Sequence, residues 1–157
     1  MSLVIIRSVA FPNRFLRLDG TGVTQPVGPG AGTVNTQSFA GSEETFVLQR
    51  NADGTVSFKS TIFSNVYLRM DAATIAQGAE VPGGGGVVNT QFGASFNEKF
   101  IIHKKETAPG RINGIVGIES TVSPGRYLRL AGSAEAGVVN AQGIFGSLEE
   151  FEILVVG

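Results

Sequence analysis

Apolar and polar residues alternate over short runs along most of this chain. In FLRLD, residues 15–19, Leu16 and Leu18 point one way and Phe15 and Arg17 the other, because successive side chains on a strand face opposite sides. The same alternation sets Leu68/Met70 against Tyr67/Arg69 and Leu128/Leu130 against Tyr127/Arg129. Ahead of each stretch lies a β-branched run, LVIIRS, TVSFKS or GIVGIES, and then a turn signal, FPN, FSN or SPG. FVLQR, FIIHK and FEILVV supply another strand each, with Phe46/Leu48, Phe100/Ile102 and Phe151/Ile153 on one face. No sustained 3.6-residue period is present, and 22 glycines weigh against helices.

The pattern is written three times. SVAFPNRFLR (8–17) returns as STIFSNVYLR (60–69) and STVSPGRYLR (120–129). VNTQSFAGSEETF (34–46) returns as VNTQFGASFNEKF (88–100) and VNAQGIFGSLEEF (139–151), without a gap. Between the two motifs the spacing changes: Arg17 to Asn35 is 18 residues, Arg69 to Asn89 is 20 and Arg129 to Asn140 is 11. Rigid motifs joined by a variable loop mark one structural unit used three times. The expected units are residues 1–51, 52–105 and 106–157 of a single domain, with four short strands each. Three equal units close best around a threefold axis, which removes exposed sheet edges. The expected fold is all-β, a β-trefoil of about twelve strands: a six-stranded barrel capped by three hairpins.

These motifs carry a family resemblance across nearly the whole chain. FPNRFLR and SPGRYLR resemble the carbohydrate-binding domain of the arabinofuranosidase B type. VNTQ followed by a small-residue turn, an acid and a phenylalanine resembles the fascin-like trefoil. The arabinose-binding pattern has His after its Tyr-Leu-Arg, where this chain has Leu18, Met70 and Leu130. The fascin-like repeat has Trp before its acid, and this chain has no Trp, so the Gln-x-Trp of ricin-type lectins is absent too. The resemblance implies a carbohydrate-binding trefoil, or a protein-binding one of the fascin kind.

Composition removes several classes of function. The chain has 157 residues, 42% hydrophobic and 16% charged, which is globular rather than disordered composition. A net charge of −1 gives no field for nucleic acid or an anionic membrane, and no apolar run is long enough for membrane insertion. Without cysteine there is neither a disulfide framework nor a thiolate metal site. The amino terminus lacks the pattern of a secretory signal, so a cytoplasmic or non-classically secreted protein is expected. No cofactor is expected.

The candidate chemistry is also threefold. Asn35/Gln37, Asn89/Gln91 and Asn140/Gln142 lie two apart on a strand and face the same way. Amides both donate and accept, which suits sugar hydroxyls; the same amides can instead tie the variable loops through backbone hydrogen bonds. Asp19 and Asp71 follow the second strand of their units and offer carboxylate acceptors, whereas Ala131 breaks the series. Phe15/Arg17, Tyr67/Arg69 and Tyr127/Arg129 can stack on and hydrogen-bond a sugar, or each Arg can pair with the motif acid, Glu44, Glu98 or Glu149. One Arg and one Glu per unit favours the structural pair.

Catalysis finds few parts. The single histidine, His103, has no repeated partner, and the motif acids are separated by the threefold axis. On a strand, the neighbours Glu43/Glu44 and Glu149/Glu150 would point to opposite faces. Gly83–Gly86 lack the Lys-Ser/Thr and helix of a phosphate loop. The expectation is a non-catalytic, lectin-like protein with two or three related sugar sites. The alternative is a protein-interaction trefoil: a fascin-like actin binder, or a protease inhibitor using the loop at 20–33 or 72–87.

Overall fold

The computed structural model describes residues 2–105, 114–132 and 137–157. The first residues of the third expected unit, 106–113, and residues 133–136 of its loop lie outside the described residues.

Twelve strands follow in chain order: β1 (Ser2–Ser8), β2 (Phe15–Asp19), β3 (Thr33–Gln37), β4 (Thr45–Arg50), β5 (Val56–Ser60), β6 (Val66–Asp71), β7 (Val87–Phe92), β8 (Phe100–Lys104), β9 (Val116–Ser120), β10 (Tyr127–Ala131), β11 (Val138–Gln142) and β12 (Phe151–Val155). Short 3-10 turns at Ser42–Glu44 and Ser147–Glu149 lead into β4 and β12. All strand pairs are antiparallel. β1 pairs with β4, β4 with β5, β5 with β8, β8 with β9, β9 with β12, and β12 again with β1. That ring is a closed six-stranded barrel with no free edge. The other six strands form three hairpins, β2–β3, β6–β7 and β10–β11. The arrangement is β-trefoil-like.

The period-two pattern explains the core. Leu16, Leu18, Leu68, Met70, Leu128 and Leu130 are all buried, and each comes from the apolar face read from the sequence. Phe46, Phe100 and Phe151, the residues that close the second motif, are fully buried with Phe58. Phe58 packs edge-on to Phe46 at 6.2 Å between ring centres and lies 5.9 Å from Phe100, within the range in which aromatic pairs attract.

Turns into the hairpins use a repeated serine. Ser8, Ser60 and Ser120 end β1, β5 and β9 and are buried. Ser8 Oγ accepts the N–H of Phe11 at 3.0 Å, Ser60 Oγ that of Phe63 at 2.9 Å, and Ser120 Oγ that of Ser123 at 2.9 Å. Each hydroxyl satisfies an N–H that the ladder leaves behind at the turn.

Registers match in the three hairpins. Arg17 stands opposite Asn35, Arg69 opposite Asn89 and Arg129 opposite Asn140. Phe15, Tyr67 and Tyr127 stand opposite Gln37, Gln91 and Gln142. Aromatic, Arg, Asn and Gln therefore share one face of every hairpin, with the leucines on the other. The hairpin connections differ: residues 20–32, 72–86 and 132–137, or thirteen, fifteen and six residues.

Candidate functional site: three related polar clusters

Each cluster is centred on its arginine. Arg17 Nη1 donates to Asn35 Oδ1 at 3.4 Å, Arg69 Nη1 to Asn89 Oδ1 at 3.2 Å, and Arg129 Nη1 to Asn140 Oδ1 at 3.2 Å. On the other side lie the motif acids. Arg Nε to Glu Oε2 distances are 3.8 Å for Arg17–Glu44, 3.9 Å for Arg69–Glu98 and 4.0 Å for Arg129–Glu149. These contacts are electrostatic and too long for hydrogen bonds. The short bonds of the acids go elsewhere. Glu44 Oε1 accepts the N–H of Gly41 at 2.8 Å, Glu98 that of Ser95 at 2.9 Å, and Glu149 that of Gly146 at 2.8 Å. The repeated glutamate thus closes the turn before the last strand of its unit. All three glutamates are buried, and desolvation pushes their pKa values up.

In the second and third clusters the amides hold main chain of the preceding unit. Gln91 Oε1 accepts the N–H of Val27 at 2.9 Å, and its Nε2 donates to the Val27 carbonyl. Gln142 Oε1 accepts the N–H of Val81 at 2.7 Å, and its Nε2 donates to the Val81 carbonyl at 2.8 Å. Asn89 Nδ2 donates to Pro29 O at 3.1 Å; Asn140 Nδ2 donates to Gly83 O at 2.9 Å, and Arg129 Nη1 reaches the same carbonyl at 2.9 Å. Each long loop therefore lies across the neighbouring hairpin. Strand-like bridges, Ala31 with Thr90 and Gly85 with Ala141, fasten its far end. Gly30 and Gly84 make that approach possible. Their φ values are +73° and +70°, and a Cβ there would stand 2.6 Å from Asn89 Oδ1 and 2.5 Å from Asn140 Oδ1.

The first cluster is different. Gln37 is half-buried and its side chain makes no hydrogen bond among the described residues, where Gln91 and Gln142 each hold a peptide unit. A cavity of about 240 Å³ lies beside it, lined by Arg17, Gln37, Phe39 and Glu43 with the turn at residues 41–44. Its counterpart in the third cluster, about 170 Å³, is walled by Glu80, Val81, Pro82 and Gly83 of the overlying loop. A larger hollow of about 400 Å³ lies elsewhere, walled by Leu3, Val47, Ile62 and Phe63, and no amide or carboxylate lines it.

Arg17 in the first cluster has a partner that sequence reasoning passed over. Its Nη2 lies 2.7 Å from Glu43 Oε1 and its Nε donates to the same oxygen at 2.9 Å. The expected partner Glu44 is the more distant one, and the two neighbours do not face opposite ways: residues 42–44 form a 3-10 turn rather than a strand, so both carboxylates reach the same guanidinium. Motif alignment carries the signal, since Glu43 stands where the other units have Asn97 and Leu148. Phe39, on the rim and 61% exposed, stands where they have Gly93 and Ile144.

The aspartates shape loop starts. Asp19 Oδ1 accepts from the N–H of Thr21 at 3.0 Å and from its hydroxyl, and these bonds hold the Asp19 pKa below its ordinary value. Asp71 Oδ1 accepts the N–H of Ala73 at 3.1 Å. Both lie beside their arginines, Asp19 Oδ2 at 3.6 Å from Arg17 and Asp71 Oδ2 at 3.4 Å from Arg69. The aromatic partners are unequal. Tyr67 is buried, with its hydroxyl donating to Gln49 at 2.9 Å, and Tyr127 stacks on Phe145 at 5.2 Å beside His103. Arg69 is buried as well, so the Tyr67–Arg69 face offers no open surface. Among the described residues no three His, Asp or Glu side chains gather as they would for a metal ion, and no helix is long and apolar enough to cross a membrane.

No family model matches this chain, and no curated protein does. Solved structures do match in fold. A mosquitocidal holotoxin superposes with a TM-score of 0.73 at 14% identity over 99% of this chain, which spans 17% of the toxin chain. SeviL, solved bound to asialo-GM1 saccharide, gives 0.64 at 9% identity, covering 98% of this chain and 97% of its own. The Polyporus squamosus lectin, solved with Neu5Acα2-6Galβ1-4GlcNAc, gives 0.62 at 17% identity, covering 97% of this chain and 48% of that one. At these identities the likeness defines the fold, an all-β architecture shared with carbohydrate-binding lectins.

Proposed function

We propose that this chain is a non-catalytic, lectin-like carbohydrate-binding protein of the β-trefoil kind, with sugar contacts drawn from the Arg–Asn–Gln arrangement that its units repeat. The observation that carries the reading is that the same constellation engages external polar groups wherever a loop reaches it. Gln91 and Gln142 each grip a donor and an acceptor side by side. Two neighbouring sugar hydroxyls present the same pairing of donor and acceptor. Asn35, Gln37 and Asp19 of the first cluster are the proposed contacts; in the other two, Asn89, Gln91, Asn140 and Gln142 already hold loop main chain, and Asp71 lies beside Arg69. Arg17, Arg69 and Arg129 with Glu44, Glu98 and Glu149 orient the amides. The sugar-bound lectins among the structural neighbours support this at the level of ligand class. A cytoplasmic location, or release by a non-classical route, belongs to the same proposal.

The test is a glycan array probed with the purified, labelled protein. Binding to a related set of glycans is the expected result; a blank array, repeated with plant and fungal polysaccharides, refutes it.

A second reading is favoured by one feature: what Gln91 and Gln142 hold is a peptide unit. A protein partner could place a backbone peptide on Gln37 in the same way. Actin co-sedimentation and a protease panel examine this, and mutation of Gln37 distinguishes it from inhibition through the loops at 20–33 or 72–87.

A further inference from the structure

Among the described residues, two of the three clusters are filled by the chain itself, and the connection lengths differ accordingly. Val27 and Val81, the residues gripped by Gln91 and Gln142, each lie six residues before the strand that follows, β3 at Thr33 and β7 at Val87. Counting six back from Val138 at the start of β11 gives Gly132, the residue directly after β10. Gly132 follows directly on its own strand, and no hydrogen bond among the described residues joins it to Gln37. The last residue of this six-residue connection, Gly137, donates to Thr36 Oγ1 at 3.1 Å, beside Gln37 rather than on it. The connection has no counterpart of residues 20–26 or 72–80, which carry Val27 and Val81 away from their own hairpins.

Three further differences gather at the same place. The cavity there is the larger of the two related ones, 240 against 170 Å³. Phe39 and Glu43 line it, where the third unit has Ile144 and Leu148. Gln37 has its amide free among the described residues.

Resting on the carbohydrate reading, we infer that the protein has one working sugar site, formed by Gln37, Glu43, Arg17 and Phe39 of the first unit, and that it takes a single neutral terminal sugar. The loops at 20–32 and 72–86 are built-in occupants of the other two clusters. Pockets for drug-sized ligands run to about 300–1,000 Å³, so 240 Å³ suits one sugar ring rather than a chain. Charge selects the class. Glu43, Glu44 and Asp19 stand within 4 Å of a single guanidinium, Arg17. Three carboxylates against one cation leave a negative site even with the Glu44 proton held more tightly, and a sialic acid carboxylate is repelled. A neutral hydroxyl instead donates to Glu43, the Gln37 amide pairs with its neighbour, and the exposed Phe39 ring lies against the C–H face of the sugar.

The experiment has two stages. An array carrying each glycan in neutral and α2-6-sialylated form, Galβ1-4GlcNAc with Neu5Acα2-6Galβ1-4GlcNAc among them, is probed with the intact chain. The best neutral glycan is then titrated calorimetrically. The expected result is preference for neutral forms, one site per chain, at least tenfold weaker binding in Gln37→Ala and Glu43→Ala, and unchanged binding in Gln91→Ala. Glu43→Gln keeps the shape but loses a charge, so it narrows the gap between the neutral and sialylated forms. Two or three sites per chain, equal loss in Gln91→Ala, or preference for sialylated glycans overturns the single-site inference and leaves the carbohydrate reading standing. No binding to any glycan removes both.

Discussion

Truncating the three glutamines one at a time asks the fold which clusters it uses. Gln142→Ala removes two hydrogen bonds to the Val81 peptide, of 2.7 and 2.8 Å, and one from the Gly143 N–H at 3.0 Å that shares Oε1, from a side chain that is 5% exposed. A net value of about 0.5–1.5 kcal/mol per bond puts the loss near 2 kcal/mol. Gln91→Ala removes the same pair at a more exposed place, where water takes over part of the bonding, and the expected loss is about 1 kcal/mol. Gln37→Ala removes no bond to the described residues, and a change within about 0.5 kcal/mol is expected, as for ordinary surface positions. Urea unfolding at fixed pH is the assay, read as a shift in midpoint with unchanged slope. With about 2–4 °C per kcal/mol for a domain of this size, the melting temperatures order as Gln142→Ala lowest by about 4–8 °C, then Gln91→Ala, then Gln37→Ala level with the parent. Equal losses in all three variants would refute the reasoning, because the first cluster would then be as engaged as the others.

Gly84→Ala forces a φ near +70° on a residue with a Cβ and drives that Cβ to 2.5 Å from Asn140 Oδ1, so a loss of about 1–3 kcal/mol by urea unfolding is expected. Glu44, Glu98 and Glu149 have pKa values raised above 4.5 by burial, so the folded state keeps protons that the unfolded state has released. Their contribution to stability is therefore full below about pH 4.5 and is lost as pH rises through the folded-state values; Glu98→Gln should flatten the fall in urea midpoint between pH 4.5 and 7.5. Asp19, whose pKa is lowered chiefly by its hydrogen bonds from Thr21, acts in the opposite sense and only at lower pH, where its contribution disappears as pH falls through the folded value. Phe58→Ala empties the space between Phe46 and Phe100 and should cost about 3–5 kcal/mol, the largest effect in the set, measured by the same unfolding assay.

The barrel and its hairpins were legible because their information is local and repeated. Leu16/Leu18, Leu68/Met70 and Leu128/Leu130 announce one buried face each, and the phenylalanines at 46, 100 and 151 announce another. Asn–Gln pairs were legible as a shared face for the same reason. Their occupants were not. Gln91 holds Val27 across 64 residues and Gln142 holds Val81 across 61, contacts that exist only once three units are arranged around an axis. Recurrence points to Glu44 as the partner of Arg17, whereas the short contact belongs to Glu43, which does not recur. Repetition points to what holds the fold together. The departures from it, Glu43, Phe39 and the six-residue connection, mark where one unit is free to do something else.

The most direct measurement is a crystal structure of the protein with the neutral glycan that binds best on the array. Sugar density is expected in the cavity between Gln37, Glu43 and Phe39, with the loops still seated on Gln91 and Gln142. Sugar density on the second or third hairpin with its loop displaced, or anywhere else on the surface with this cavity empty, would contradict that expectation.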